Sequence, residues 1–241
     1  RHDYPNVRSV RVHEPHSFLE LLEAQSSILI KSGSAWQRNS TVDEPVWEFR
    51  HLTFQEYLAA RALLDGRYPG RDKAKTLAEK VAPLAGAVQK TKSRRSVLES
   101  EEEVEVPESW REALRLLVAD CNDDDVDDVL QAILTPTPNE DAGKTSRPRA
   151  VLAALCLADE PNVSEATATC VLQAFVERIG PSDGLGHLNT PLDAAAMAVG
   201  GSHWAPLFTR LLVTEFCKRI PVERERVGAL CGMVEVGIRT G

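Results

Sequence analysis

Among the residues whose type could do chemistry, His51 stands just ahead of an amphipathic run from Thr53 to Leu64. Thr53 with Glu56 three residues on has the spacing of a capping box, in which a hydroxyl and a carboxylate satisfy the first N–H groups of a helix. An imidazole can donate, accept or carry a proton near neutral pH. A phosphate cradle within this chain would need a glycine-rich loop. Ala142-Gly143-Lys144-Thr145 has the tail of one, but the first required glycine falls on Pro138 and no apolar strand precedes it. No phosphate-binding loop is therefore expected here.

Other patterns that could carry chemistry read more simply as structure. The acidic run Asn122–Asp128 lacks the glycine and the closing glutamate of a calcium loop, and acidic residues in a first helical turn complement the helix dipole. Histidines 2, 13, 16, 51, 187 and 203 are scattered, without H-E-x-x-H or a Cys/His pair at zinc spacing. Cysteines 121, 156, 170, 217 and 231 sit in apolar helical contexts with no C-x-x-C pair, so reduced, buried thiols and a cytoplasmic location are expected. Trp204, His203 and Asp159–Asn162 fall at predicted helix junctions, where Trp204 is expected to pack against a neighbouring helix. No catalytic or metal-binding residues are expected in this chain.

A net charge of −8 and a pI near 5.3 oppose phosphate neutralisation, so nucleic acid is not an expected partner. The basic stretch Lys90–Arg95 is followed at once by the acidic stretch Glu99–Glu105, which predicts a solvated, self-neutralising linker. No apolar stretch approaches the ~20 residues that a membrane span requires. The chain opens at Arg1 without a methionine or a leader pattern, as a piece of a longer protein would.

These residues must be held by elements that periodicity outlines. A short helix over His16–Ser27 carries Phe18, Leu21, Leu22 and Gln25 on one face, followed by a strand at Ile28–Ile30, a polar loop to Asp43, a strand at Val46–Phe49 and the helix ending at Gly66 and Pro69. Phe54, Tyr57 and Leu58 are expected in its core. Helix, strand, loop, strand, helix fits half of a winged-helix module, and equally an ordinary α+β corner. Lys73–Val88 predicts a helix striped by Leu77, Val81, Leu84 and Val88, weakened by Pro83 and Gly86. Beyond Pro107 helices are predicted over Ser109–Cys121, Asp123–Leu134, Arg147–Ala158, Ser164–Ile179, Thr190–Gly200 and Trp204–Arg219, with a last one from Pro221 towards Gly232; Thr135–Ser146 is expected as a loop. The expected fold is mainly α, a winged-helix-like α+β part followed by an α-solenoid of HEAT or armadillo type or an irregular helical array. Three regions follow: 1–69, a helix and charged linker at 70–107, and helical repeats at 108–241.

The segment Phe49-Arg50-His51-Leu52-Thr53-Phe54-Gln55-Glu56-Tyr57-Leu58-Ala59-Ala60 resembles the motif that ends the winged-helix module of NACHT-family signalling NTPases. His51, Phe54, Gln55, Glu56, Tyr57, Ala59 and Ala60 match that motif in register. The resemblance is sharp over Phe49–Leu64, fair over 16–66 and architectural beyond 107.

It implies that His51 contacts the phosphates of ADP in the intact parent and so holds its resting state. It also implies an ATPase core upstream in the same chain, using ATP or ADP with Mg, while this segment itself holds no cofactor. The expected role is regulation and ligand sensing in prokaryotic defence or stress signalling, with a trigger of protein type and homo-oligomerisation of the parent. The alternative from the residues alone is a stand-alone α-helical repeat scaffold for protein–protein interaction.

Overall fold

A computed structural model describes residues 15–26, 28–36, 43–67, 75–94, 100–179 and 190–219. They are mainly helical and fall into two compact units, 1–55 and 56–241. The division lies inside the motif helix, whose Glu56, Ala60 and Leu63 are buried.

In the first unit helix α1 (Pro15–Ser26) precedes an antiparallel pair, β1 (Leu29–Trp36) and β2 (Asp43–Phe49). Leu29 opposite Phe49 and Lys31 opposite Trp47 share one face, where Leu29 is buried and both aromatic residues are half-buried. Ile30 and Glu48 occupy the other face and are exposed, the alternation expected of a strand pair covered on one side. Both strands run further into the polar loop than the apolar pattern predicts. Antiparallel pairing is a backbone property, and a register shift between Lys31 and Gly33 absorbs the extra residue there. The Lys31 amide donates to Glu23 of α1 at 3.1 Å.

Helix α2 (Leu52–Leu64) follows, starting one residue before the predicted cap, so Thr53 lies within its first turn. Gly66 ends it in the left-handed region (φ 65°), with its N–H donating to Leu63 and the Arg67 N–H to Ala62. Helix α3 (Leu77–Ala85) opens on a capping box formed by Thr76 and Glu79, and the expected stripe holds: Val81 is buried while Leu77, Leu84 and Val88 pack partly against the core.

Where a charged linker was expected, the chain forms a second antiparallel pair, β3 (Gln89–Arg94) and β4 (Ser100–Glu105). Its register sets Lys92 opposite Glu102 and Ser93 opposite Glu101.

The remaining helices are α4 (Glu108–Ala119), α5 (Val126–Leu134), α6 (Ala142–Ala158), α7 (Glu165–Glu177), α8 (Pro191–Gly200) and α9 (Ala205–Arg219). Alternate helices stack: α3, α5, α7 and α9 form one row, and α4, α6 and α8 the other. That alternation is the packing logic of an α-solenoid, in which each helix buries its face on its sequence neighbour and on the next member of its row. Helix α6 is enclosed, with Pro148 through Leu157 buried without interruption. The predicted helix from Pro221 lies outside the described residues.

Helix α6 begins at Ala142 and not at Arg147. The polar composition of Thr135–Ser146 suggested a loop, but Asp141 caps the helix by accepting from the Gly143 N–H at 3.1 Å. Pro148, seven residues into the helix, then removes one backbone donor without ending it.

One charged residue is wholly inside the core. Arg149 spends all five N–H groups: two on Glu140 (2.9 and 2.6 Å), two on the Ala132 and Ile133 carbonyls (3.1 and 2.8 Å), and one on the Ala82 carbonyl (2.6 Å). It thereby ties α3 and the C-terminal end of α5 to α6, and its charge complements the exposed carbonyls of α5. Burial alone would raise the Glu140 carboxyl, but hydrogen bonds from Arg149 and Thr137 outweigh it and hold the carboxyl below its ordinary value.

Candidate functional site

The β1–β2 pair delivers the chain to His51: the Arg50 N–H donates to Ile28 at 2.9 Å, closing the sheet, and the Phe54 N–H donates to the His51 carbonyl at 3.2 Å, opening α2. The imidazole is exposed, with the Phe54 ring beside it at 6.3 Å between centroids and 58° between planes.

The apolar residues of the same motif lie elsewhere than expected. Phe54, Tyr57 and Leu58 are 45%, 47% and 47% exposed, and Leu52 is exposed beside them. The reason is angular. Glu56, Ala60 and Leu63 follow an i, i+4, i+7 spacing and take the buried stripe of α2. Phe54, Tyr57 and Leu58, at i, i+3 and i+4, then fall on the opposite side. Hydrophobicity alone assigned these three to the core, whereas the inward face belongs to the smaller Ala60 and to a glutamate.

Glu56 is the residue that sequence reasoning undervalued. Expected at most to cap the helix start, it is 6% exposed and has no hydrogen-bond partner among the described residues. Burial pushes its carboxyl pKa up, and the like charges of Glu112 and Glu108 push it further, against a smaller pull from Arg111. The signal was present in the sequence as the common stripe with Ala60 and Leu63. Further along α2, Arg61 donates to Asp120 at 2.6 Å and to Asp65 at 3.1 Å.

Ala142–Thr145 forms the first turn of α6, and Lys144 is paired with Asp141 at 2.9 Å. The Thr145 hydroxyl donates to the Asp141 carbonyl, so this segment is occupied in helix capping and does not form a phosphate cradle.

In the acidic run, Asp127 and Asp128 lie in the first turn of α5, as the dipole explanation requires. Asp127 also accepts from the Ser164 N–H at 3.0 Å, and its hydrogen bonds to Ser164 hold its carboxyl below the usual range. No group of three or more His, Cys, Asp or Glu suited to a metal ion occurs among the described residues.

Trp204 packs partly against the core, with its ring 4.2 Å from that of His203 and its indole Nε1 buried without a hydrogen-bond partner among the described residues. The His203 N–H donates to Glu160 at 2.8 Å, across from the end of α6, where Glu160 itself adopts a left-handed conformation (φ 58°). Cys156 is buried as expected, but Cys170 and Cys217 are exposed; Cys231 lies outside the described residues. Burial pushes the Cys121 thiol up to about 11 and the Cys156 thiol higher still, which keeps both protonated and unreactive near neutral pH.

No helix among the described residues is long and apolar enough to cross a membrane. Comparison with protein-family models, with curated proteins and with solved structures gives no match to the chain.

Proposed function

We propose that this chain is the regulatory, ligand-sensing C-terminal region of a cytoplasmic NACHT-type signalling NTPase of prokaryotic defence or stress signalling. Its helical array would receive a protein trigger, and His51 would serve as a latch on the nucleotide held by an upstream ATPase core of the same chain. Release of that latch would allow the parent to exchange ADP for ATP, with Mg, and to oligomerise. The enzyme would be the parent, with no catalytic residue supplied from here.

The observation that carries this proposal is the joint exposure of His51 with Phe54, Tyr57 and Leu58 on the one segment that resembles the family motif. A cluster of large apolar side chains left on a surface marks a contact that the isolated chain does not complete. An upstream module seated there would cover the apolar face and bring an anionic phosphate to the imidazole.

Two measurements test the proposal. The encoding gene should carry a phosphate-binding loop roughly 250–400 residues upstream of Arg1, a distance set by ordinary domain sizes. A reading frame that starts near Arg1 would instead favour a stand-alone helical-repeat scaffold, for which the self-sufficient stacking of α3 to α9 already provides a framework. In the full-length protein, His51→Ala should raise resting output by shifting the closed population toward open, and an unchanged resting output would remove the latch.

A further inference from the structure

Asp120 closes α4, Asp159 closes α6, and His203 lies in the turn between α8 and α9. Each of these points is tied by a side chain to the element before it. Arg61 of α2 donates to Asp120 at 2.6 Å. Arg115 of α4 donates two N–H groups to Asp159 at 2.8 and 2.7 Å. Glu160, the residue after Asp159, accepts the His203 N–H at 2.8 Å, with the His203 ring Nδ1 3.4 Å from the same oxygen. The links thus run from α2 to the C-terminal ends of α4 and α6, and on to the turn that leaves α8.

Two details show how firmly the turns are drawn into this line. Glu160 holds a left-handed backbone (φ 58°), which glycine adopts freely and a residue with a side chain does not. A glycine there would relieve the backbone but could not reach His203. The α4–α5 and α6–α7 turns are also joined a second time, where the Ser164 N–H donates to Asp127 at 3.0 Å.

Every link is at least partly exposed, and each is weak alone. They act in series, however, and in a stacked helical array the terms between neighbours decide how far a local opening spreads. Parting the α8–α9 turn from Glu160 frees the end of α6. Through Arg115 it then frees the end of α4, where Arg61 is held.

We propose that Arg61–Asp120, Arg115–Asp159 and Glu160–His203 form a brace along one edge of the larger unit, through which the α8–α9 turn governs how firmly α2 is held. The brace goes beyond the nucleotide latch at His51 and does not depend on it.

Backbone hydrogen exchange of residues 56–64 in the 241-residue chain reads one end of the brace while a substitution cuts the other. Glu160→Ala removes the acceptor, and Glu160→Gln keeps an amide oxygen for the His203 N–H. The expected result is opening at 56–64 raised about twofold or more by Glu160→Ala and restored by Glu160→Gln, with residues 150–157 of α6 unchanged. Where Arg61→Met has already cut the near link, adding Glu160→Ala should raise the opening no further. Unchanged opening at 56–64 in Glu160→Ala overturns the proposal. So does an equal rise at 150–157, which would be a general loss of stability, or a Glu160→Gln chain that opens as much as Glu160→Ala. Effects of Arg61→Met and Glu160→Ala that multiply in full would also overturn it, because independent sites behave that way.

Discussion

Gly86 lies directly against Arg149: a Cβ built on the glycine would fall 2.5 Å from the guanidinium and would overlap the Glu140 carboxylate. The backbone at Gly86 is ordinary (φ −89°, ψ −7°), so the requirement for glycine here is one of space and not of conformation. The residue that ends α3 is thus fixed by an ion pair formed more than 50 positions further along the chain. Gly86→Ala should displace that pair and destabilise the chain by about 2 kcal/mol or more, in the range of overpacking combined with a disturbed buried pair. Chemical denaturation midpoints of the two chains measure it.

Removing the cation should cost more. Arg149→Ala leaves Glu140 and the carbonyls of Ala82, Ala132 and Ile133 without their donors, and a loss of about 3–5 kcal/mol is expected. Arg149→Met, which fills the space but donates nothing, should recover only part of it. Full recovery by methionine would mean that volume and not hydrogen bonding holds α3, α5 and α6 together.

The same pair predicts an acid limb in the stability profile. Because the folded-state pKa of Glu140 lies below its ordinary value of 4.5, its contribution is complete above that value and is lost as pH falls below it. Glu140→Gln should therefore be less stable than the unmodified chain at neutral pH and should flatten the decline on acidification. Thermal melts across about pH 3 to 7 would show whether the two profiles converge at the acid end, as this linkage requires.

On α2 the exposed and buried positions should separate cleanly. Phe54→Ala, Tyr57→Ala and Leu58→Ala should each change the stability of this chain by no more than about 0.5 kcal/mol, the range for surface substitutions. Leu63→Ala, by contrast, should cost about 2–5 kcal/mol because it empties a packed position. Large losses at the first three would show that they are covered in solution.

Gly66 is the one described glycine whose backbone demands its lack of a side chain, since it closes α2 at φ 65°. Nothing lies within 4 Å of a Cβ built there, so Gly66→Ala should cost only the left-handed conformation, about 1 kcal/mol. A loss of several kcal/mol would point to a contact at this turn.

Helix positions were legible where apolar residues recur at helical spacing over more than two turns, as in α4, α5, α7 and α8. The predicted start of α8 at Thr190 falls on its cap, where Thr190 and Asp193 form a capping box. The sequence misled where one signal stood in for another. Polar residues at Thr135–Ser146 suggested a loop although Asp141 supplies a helix cap, and mixed charge at 89–107 suggested a linker although the backbone there pairs as two antiparallel strands. Arg149 was illegible, because burial of an arginine depends on acceptors brought from three distant elements, and no local pattern announces them. At the candidate site, the position of His51 before a helix was readable, while the outward turn of Phe54, Tyr57 and Leu58 was not. Which side of an amphipathic helix faces inward is decided by its neighbours, and α2 has apolar residues on both sides.

The Pro148–Leu157 stretch of α6, packed among α4, α5, α7, α8 and β4, sets an order on how the larger unit can come apart. Its carbonyls and side chains can be wetted only after a whole neighbouring helix has left, so its amides should be the last to exchange with solvent. Fraying at the α9 end can proceed while this central rod stays dry. The larger unit is in that sense a sheathed axle, with the adaptable surface at its periphery and its memory of the fold at the centre.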